Sequence, residues 1–437
     1  MSPELSRVVE RAKKDPEARF NSLAHHLDEA ALKRAFARIR KDAAAGVDEV
    51  NKGEYARHLD ENIRDLNQRL RARTYRHQPI RRVHIPKGPG SRETRPIGIS
   101  TIEDKIVQGA LRDVLEAIYE QDFLPCSFGF RPGRSAHQAL GALDQMLFSE
   151  RIRWVLEADI RSFFDSIDRK KLMELLQLRI ADGSILRLVG KCLHVGVLDG
   201  EEFTEPEDGT AQGSIISPLL GNVYLHHVLD LWFEREVRPR MKGHARLIRY
   251  ADDFVIGFTN KEDAGRVLEV LGKRMAAFGL TLHPDKTRIV AFARPSRTGK
   301  SAGTSAPGTF DFLGFTLHWR VSRRGNWVPA MKTRKASLRK TLLGVGEWCR
   351  RHRHYARAEQ HAVLSRKLRG HYEYFGVNGN SRCLDRVLHQ VKRIWFKWLQ
   401  RRGQRRPLRW KRFSEYLARF PLPAPRLRKR IWGATAP

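Results

Sequence analysis

Cysteine is scarce in this chain of 437 residues, and the four cysteines are widely separated, at Cys126, Cys192, Cys349 and Cys383. No C-x-x-C pair occurs, so neither a disulfide framework nor a cysteine-based zinc module is indicated. Long apolar runs are also missing: the longest run without charge, 209–229, contains a proline, an asparagine and two histidines, which excludes a membrane span there. Charge appears at Glu4 instead of an apolar signal segment. We therefore expect a cytoplasmic protein with no membrane partner.

Acidic residues are few relative to basic ones: 49 Asp and Glu stand against 82 Lys and Arg, which gives a formal net charge of +33. The imbalance is strongest from residue 331 to the end, where 29 basic residues face 5 acidic ones. Such a surface neutralises phosphates and releases counterions, so nucleic acid is the favoured partner. A disordered basic tail is the alternative, but Trp348, Trp395, Trp398 and Trp410 lie among the charges, and disordered tails are poor in aromatics. The candidate nucleic-acid contacts in this region are Arg393, Lys397, Arg401 and Arg402.

Two adjacent aspartates, Asp252 and Asp253, stand between two runs with strand character, 245–249 and 254–258. We expect them at or near the turn of a β-hairpin. Neighbouring carboxylates repel and raise one another's pKa, and a cation would relieve that repulsion. Mg²⁺ prefers hard oxygen ligands from one or two carboxylates plus substrate phosphates. For a Y-x-D-D motif taken alone, an exposed acidic turn is the alternative.

A third carboxylate, Asp159, ends another strand candidate. Two-metal nucleotidyl transfer needs carboxylates that bridge ions about 3.5–4 Å apart, one ion activating the primer hydroxyl and the other steadying the pyrophosphate. Asp159 and the hairpin aspartates could hold two Mg²⁺ ions, with Mn²⁺ as a substitute, and the Ile160 carbonyl could add a ligand. Glu157, on the same strand face, and Asp165 are the alternatives, and Asp159 is favoured.

Several local elements can be predicted as well. Residues 1–80 read as mostly helical. Two short apolar runs flank residues 86–91 and predict a hairpin with a basic tip. Thr101 and Asp104 form a capping-box-like pattern that predicts a helix, and Asp168 is expected to cap another.

Short motifs in a fixed order carry a family resemblance. They are KDAAAGVD (41–48), IPK with RPIGI (85–87 and 95–99), SFGFRPGRS (127–135), DIRSFFDSID (159–168), QGS with SPL (212–214 and 217–219), YADD (250–253), HPDKTR (283–288), FLGF (312–315) and LRGHY (368–372). In order and spacing the chain resembles group II intron reverse transcriptases, also called maturases, over residues 20–430.

The resemblance implies roles for the matching positions. Asp159, Asp252 and Asp253 look like the metal-binding triad, and Phe164 resembles the aromatic gate that excludes a 2′-hydroxyl, although a core phenylalanine is the alternative. The other implied sites are the triphosphate-gripping Lys87 and Arg95, the loop residues Gln212 and Gly213 at the nascent base pair, Lys286 as the proton donor to pyrophosphate, and the primer grip Phe312, Leu313 and Gly314. Arg131 and Arg134 are further candidate nucleic-acid contacts. For Lys87, Arg95 and Lys286, a solvated surface position is the alternative.

The implied fold is α+β: a right-hand polymerase with fingers, a palm built on an antiparallel sheet, and a helical thumb, followed by a basic helical region. The predicted divisions are 1–80 for an N-terminal extension and the start of the fingers, 81–295 for fingers and palm, 296–376 for a linker and the thumb, and 377–437 for the basic nucleic-acid-binding region. The thumb is expected to begin near Phe310.

The implied function is an RNA-dependent DNA polymerase that serves a group II intron and assists its splicing and mobility. Its partners would be an RNA template, intron RNA, a DNA primer or target, and deoxynucleoside triphosphates. A maturase that acts only as an RNA-binding splicing factor, and an intron-independent host enzyme of repair or phage defence, are the alternatives. No histidine- and cysteine-rich endonuclease segment is present, so we expect priming from an existing nick or replication-fork end.

Overall fold

The computed structural model describes residues 3–86, 88–89, 91, 93–200, 202–204, 209–210, 213–295, 307–322, 324–402, 408–427 and 431. In these residues the chain combines helices with sheets that are antiparallel apart from one parallel strand pair, which confirms the mixed helix-and-sheet prediction. Within the same ranges, no helix has the length and apolar character needed to cross a bilayer.

Helices dominate both ends of the chain. Their bounds are α1 (Pro3–Lys14), α2 (Glu29–Arg38), α3 (Lys52–Ala56), α4 (Leu59–Arg71), α5 (Ile102–Asp122), α6 (Ala136–Ser149), α7 (Arg169–Gln177), α8 (Gly183–Leu193), α9 (Ser217–Leu225), α10 (Lys261–Ala277), α11 (Lys335–Arg351), α12 (Arg357–Phe375), α13 (Ser381–Leu399) and α14 (Trp410–Arg419). The Thr101 side chain accepts the Asp104 N–H at the start of α5, and Asp168 accepts the Lys171 N–H at the start of α7. Both predicted helix starts are confirmed, and α1–α4 confirm the helical character of residues 1–80.

The strands form a four-stranded central sheet, a second four-stranded sheet and a three-stranded sheet. Their bounds are β1 (Ile80–Pro86), β2 (Thr94–Ile99), β3 (Trp154–Asp159), β4 (Val197–Asp199), β5 (Glu202–Thr204), β6 (Ala245–Tyr250), β7 (Asp253–Phe258), β8 (Arg288–Ala291), β9 (Phe310–Phe312), β10 (Phe315–Val321) and β11 (Trp327–Thr333). The central sheet has the order β6-β7-β3-β8, and the others have the orders β2-β1-β4-β5 and β11-β10-β9. The predicted β1–β2 hairpin is confirmed, with Arg95 opposite Ile85.

The central sheet separates two hydrophobic cores, because side chains alternate across each strand. Leu156, Phe254 and Ile256 project into a large core that they share with the N-terminal helices and with α5, α9 and α10. Val155 and Val255 project from the other face toward α6 and the β9–β11 sheet. Asp159, which alternation places on the Val155 face, therefore lies at the end of the strand between these two sheets.

The C-terminal helices α11–α14 share a third core. Each of the four helices contributes buried side chains to this core: Val345 from α11, Leu368 from α12, Val391 and Trp395 from α13, and Phe413 from α14. The predicted division at 376 falls between α12 and α13, yet these helices fill one core because the apolar stripe of α13 needs cover on that side. The strands that follow Phe310 pack instead on the central sheet. The predicted linker residues 296–306 lie outside the described residues.

Candidate active site

The three predicted carboxylates meet at one end of the central sheet. Strand β3 pairs with β7 so that Asp159 lies directly opposite Asp253. Strands β6 and β7 pair up to Tyr250 and Asp253, which leaves Ala251 and Asp252 as a two-residue turn. Ala251 adopts a left-handed φ of 56°. The two-residue turns that match the twist of a hairpin require a positive φ at this first position. The predicted hairpin is thus confirmed, and it brings Asp252 and Asp253 next to Asp159.

Burial and mutual repulsion shape the electrostatics of this turn. Burial raises the pKa of Asp253 to about 7, the Leu313 N–H opposes the rise, and the Asp252 and Asp159 charges add to it. The pKa of Asp252 is also raised, first by burial and then by the Asp159 charge, while Arg95 and Arg249 oppose the rise. Carboxylates that repel one another at such short range form a site where a cation is stabilised.

Lys286 supplies one such cation in the protein itself. Its Nζ lies 2.7 Å from Oδ2 of Asp159. The turn that carries Lys286 is joined to β3, because the His283 N–H donates to the Asp159 carbonyl at 2.8 Å. Residues Ile160 and Leu282 form an antiparallel bridge at the same place. The backbone bonds of this bridge come from Asp159 and Arg161, so the Ile160 carbonyl points away from the Lys286 segment.

The chemistry of this donor set fits hard divalent ions. Asp159, Asp252 and Asp253 offer carboxylate oxygens, which Mg²⁺ prefers. Among the residues described, no group of three or more His, Cys, Asp or Glu side chains is already arranged around one common point. The carboxylates point to protein partners instead: Asp159 contacts Lys286, and Asp253 accepts the Leu313 N–H at 3.4 Å.

The two alternative carboxylates are placed differently. Glu157 is on the Asp159 face of β3, but its Oε2 pairs with Arg288 at 3.0 Å and its Oε1 accepts the Asp311 N–H at 3.3 Å. Asp165 is exposed in a 3₁₀ turn, Phe163–Ser166, after β3. Glu157 therefore links β3 to β8 and β9, which supports Asp159 as the functional carboxylate.

A buried arginine, Arg249, holds the β6–β7 turn from the protein interior. Arg249 is fully buried and forms an ion pair with Asp230, with Nε–Oδ1 and Nη2–Oδ2 distances of 2.7 and 2.6 Å. Its Nη2 also donates to Ser127 Oγ at 2.8 Å, and its Nη1 donates to Asn222 Oδ1 and the Ala251 carbonyl at 3.0 Å each. Burial alone would lower the pKa of Arg249, but the Asp230 carboxylate outweighs it, so the pKa is raised.

Sequence reasoning did not identify this arginine. The only signal was a cation among apolar neighbours, in the run Arg246-Leu247-Ile248-Arg249. Its partner Asp230 lies in a π-helical turn, His226–Asp230, which is a rare form often found at functional sites. All five guanidinium N–H groups of Arg249 donate hydrogen bonds, so the side chain is held in one orientation. Its bond to the Ala251 carbonyl then fixes the backbone next to Asp252.

The loop 127–135 packs against the same turn. An added Cβ on Gly129 would lie 2.3 Å from the Ala251 nitrogen, so only glycine allows this approach. Arg131 of this loop is buried, donates to both Glu120 oxygens and also donates to the Leu124 and Ser127 carbonyls at 2.9 Å. The prediction that Arg131 contacts nucleic acid does not fit this placement, because its donors are consumed inside the protein. Arg134 is exposed, as a contact residue requires.

The residues assigned to the nucleotide are only partly described. Lys87 and Gln212 lie outside the described residues. Arg95 is exposed on β2, and its charge acts on Asp252. Gly213, with a φ of 112°, approaches β2 so closely that an added Cβ would lie 2.5 Å from the Gly98 carbonyl. Phe164 is half-buried beside Phe163, with ring centroids 5.2 Å apart, so part of the ring faces solvent and part faces the core.

The predicted primer-grip residues form the β9–β10 turn. Leu313 and Gly314 have φ angles of 49° and 78°, typical of a two-residue hairpin turn, and Phe312 is buried in the second core. The Leu313 N–H donates to Asp253, and its carbonyl accepts the Tyr374 hydroxyl at 3.0 Å. The structure thus brings this turn to the carboxylates and ties it to α12.

Two of the four predicted C-terminal contacts lie on the outer face of α13, and the other two follow its end at Leu399. Arg393 and Lys397 are exposed there, opposite the apolar stripe. Arg401 is exposed with its guanidinium 5.3 Å from the Trp398 ring centroid. Arg402 donates to the His354 carbonyl at 2.8 Å, so it also connects the end of α13 to the α11–α12 turn.

Comparison with known proteins identifies a matching family and several relatives. Residues 85–317 match the family described as reverse transcriptase (RNA-dependent DNA polymerase). The chain is 31% identical over 336 residues to the group II intron-encoded protein LtrA of Lactococcus lactis subsp. cremoris, which covers 64% of this chain and 53% of LtrA. It is 33% identical over 334 residues to protein YkfC of Escherichia coli K12, covering 68% and 83%. A protein in the cob intron of Schizosaccharomyces pombe is 42% identical over 172 residues, covering 39% and 21%. The chain thus spans about half the length of LtrA.

Proposed function

The chain belongs to the reverse transcriptase (RNA-dependent DNA polymerase) family, and from this premise we propose that it extends a DNA primer on an RNA template as a group II intron-type enzyme. The observation that carries the proposal is the meeting of Asp159, Asp252 and Asp253 at the end of the central sheet. The cations Arg95 and Lys286 act on the same carboxylates. Carboxylates faced by cations suit the transfer of a charged phosphoryl group.

In this proposal Asp159 and Asp252 are the principal ligands of two Mg²⁺ ions, with the Ile160 carbonyl as a further ligand. Mn²⁺ is a suitable substitute because it accepts the same oxygen ligands. Bound ions would supply Lewis-acid chemistry to the reacting phosphate and lower the pKa of the attacking hydroxyl. Asp253 is buried and accepts the Leu313 N–H, which suits a supporting role beside the other two.

The remaining residues are proposed to bind and orient the substrate. Arg95 and Lys87 hold the triphosphate, and Lys286 moves from Asp159 to give a proton to the leaving pyrophosphate. Phe164 lies under the incoming sugar and disfavours a 2′-hydroxyl. Gln212 and Gly213 contact the nascent base pair, a position that the close approach of Gly213 to β2 supports.

The architecture suits a right hand. In this assignment β1 and β2 belong to the fingers, the central sheet with α5–α10 to the palm, and α11–α14 to a thumb that includes the basic C-terminal helices. The β9–β10 turn, with Phe312, Leu313 and Gly314, would position the primer strand next to Asp253. This division moves the end of the thumb beyond residue 376, because α13 and α14 share the core of α11 and α12.

The exposed charge on α13 and just after its end supports a second, RNA-binding activity. Arg393, Lys397 and Arg401 would contact phosphates of intron RNA or of the DNA target without reading sequence. Assistance to splicing would need such a surface and no carboxylate triad. A maturase that only binds RNA, or a host enzyme independent of an intron, would keep this surface as well.

The test is primer extension on an RNA template with Mg²⁺ and deoxynucleotides, comparing wild type with Asp252→Ala. We expect wild type to extend the primer, and Asp252→Ala to lose extension while its RNA affinity stays within about a few fold, because the turn binds the reacting groups and not the RNA backbone. Glu157→Gln is the matched control, since Glu157 lies on the same strand face as Asp159 but pairs with Arg288.

The outcomes separate the functions. Extension by wild type and by Glu157→Gln, but not by Asp252→Ala, supports the polymerase. Extension that survives in a clean Asp252→Ala preparation contradicts the active-site assignment. No extension by any variant, with tight RNA binding retained, would favour an RNA-binding splicing factor.

A further inference from the structure

Phe130 is an exposed aromatic residue in an unfavourable backbone conformation. It is 56% exposed, the largest fraction among the large apolar side chains that the structure describes. Its φ of 56° lies in the left-handed region, which a residue with a Cβ adopts only at an energetic cost. An exposed apolar ring contributes little to the core, so packing alone does not account for a phenylalanine here.

The backbone on both sides of Phe130 is firmly held. The Phe128 N–H donates to the Arg249 carbonyl at 2.9 Å, and the Asn222 amide donates to the Gly129 carbonyl at 2.7 Å. On the other side, the Arg131 guanidinium pairs with Glu120 at 2.7 Å. Phe130 is therefore presented to solvent by a rigid loop, and a ligand that contacts the ring would meet a preorganised surface.

The loop lies next to the turn that carries Asp252. An added Cβ on Gly129 would be 3.0 Å from the Ala251 Cα, and consecutive Cα atoms are about 3.8 Å apart, so the Phe130 Cα lies within about 8 Å of the turn. Arg134 of the same loop is exposed, its guanidinium lies 5.4 Å from the Phe128 ring centroid, and no carboxylate of the described residues pairs with it. An exposed ring and a cation without a carboxylate partner, on one fixed loop, suit single strands and duplex ends of nucleic acids, through base stacking and phosphate contacts.

We propose that Phe130 packs against a nucleotide of the bound template–primer, within a few positions of the reacting end, and that Arg134 contacts a neighbouring phosphate. The proposal rests on the proposed polymerase function and adds a nucleic-acid contact to it. The contact does not depend on base identity, because every base offers a π-face. The ring positions the strand relative to Asp252 and takes no part in the chemical step.

The first test measures affinity for an RNA template annealed to a DNA primer. Phe130→Ala is expected to raise the Kd by about 5- to 150-fold, the range for removal of one aromatic ring that stacks on a base. Phe130→Tyr is expected to keep the wild-type affinity for the template–primer because it retains the aromatic ring. Phe148→Ala is the matched control: Phe148 is 50% exposed, and it lies near the far end of α6, roughly 20 Å from the loop.

The second test locates the contact. 5-Iodouridine is placed at single positions of the template or primer, and ultraviolet cross-links are mapped by mass spectrometry. We expect a cross-link at Phe130 from positions near the primer end, absent in Phe130→Ala and retained in Phe148→Ala. Phe130→Gly relieves the left-handed φ, so its Tm should not fall while its affinity does, which separates loss of binding from loss of folding.

Each outcome is decisive. If Phe130→Ala binds within about twofold of wild type, or if no cross-link forms at Phe130 while wild type extends the primer, the inference is wrong and the proposed function stands. If wild type does not extend the primer, yet the cross-link and the Phe130-dependent affinity are present, the contact stands and the polymerase assignment fails.

Discussion

The buried pair of Arg249 and Asp230 gives the sharpest prediction. Replacing Arg249 by methionine keeps much of the side-chain volume but removes all five donated hydrogen bonds. The Asp230 carboxylate is then buried with no cation, and the Asn222 and Ser127 oxygens lose their donor. The Ala251 carbonyl also loses its partner at 3.0 Å, and this atom belongs to the turn that carries Asp252.

Both stability and activity should respond. Removing one member of a buried ion pair leaves an uncompensated charge, which costs about 3–5 kcal/mol. Replacing both members by apolar residues removes that charge, so Arg249→Met with Asp230→Leu should be more stable than either single variant, with a coupling of about 2 kcal/mol or more. A displacement of the turn by about 1 Å can reduce the rate about 10²-fold, so the double variant should remain slow although it is folded.

The assay combines urea unfolding with single-turnover primer extension at a temperature where every variant is folded. Arg249→Lys is a useful companion, because lysine keeps the charge but lacks the planar fork that meets both Asp230 oxygens. If either single variant loses less than about 1 kcal/mol, or if the two losses simply add, the buried pair does not act as described. A stable double variant that extends primers at the wild-type rate would show that Arg249 does not position the turn.

Three further predictions concern Asp144, Gly129 and the charges of α13. Burial raises the pKa of Asp144 to about 7, so the folded protein keeps a proton that the unfolded chain releases above about pH 4. The free energy of unfolding should therefore fall as pH rises between these values, by roughly 4 kcal/mol in total at pH 8, and Asp144→Asn should abolish that fall. An Asp144→Asn variant with the wild-type pH profile of urea unfolding would contradict this. Gly129→Ala should slow primer extension about 10²-fold, because its Cβ would lie 2.3 Å from the Ala251 nitrogen, and a wild-type rate would refute the close approach. Arg393→Gln with Lys397→Gln should make the slope of log K against log salt shallower by about 0.9 for each phosphate that is no longer neutralised, whereas an unchanged slope in a salt titration would show that α13 does not bind nucleic acid.

The local parts of the site could be predicted from the sequence. The strands around Asp252 and Asp253 follow from short, mainly apolar runs on both sides of them, and Asp159 ends a strand of the same kind. The caps at Thr101 and Asp168 depend on residues only three positions apart. Such features depend on neighbouring residues, so the pattern of the chain determines them.

Only the tertiary structure decided which charged residues face solvent and which are buried. Arg131 and Arg134 are three positions apart in one motif, yet the first is consumed by Glu120 and the second is exposed. Arg249 is paired with Asp230, which lies 19 positions away in the chain. Phe130 is exposed on a loop whose neighbouring residue, Gly129, is held by a hydrogen bond from the distant Asn222.

The physical reason is that burial is a property of packing between distant segments. An arginine is the same residue in the sequence whether its guanidinium will contact a carboxylate or water. Its partner is fixed only when strands and loops separated by many residues come together. The sequence by itself therefore determined the family, the carboxylates and the strands that carry them. The fold decided how the turn is held, where the C-terminal charges lie, and which aromatic ring remains available to a ligand.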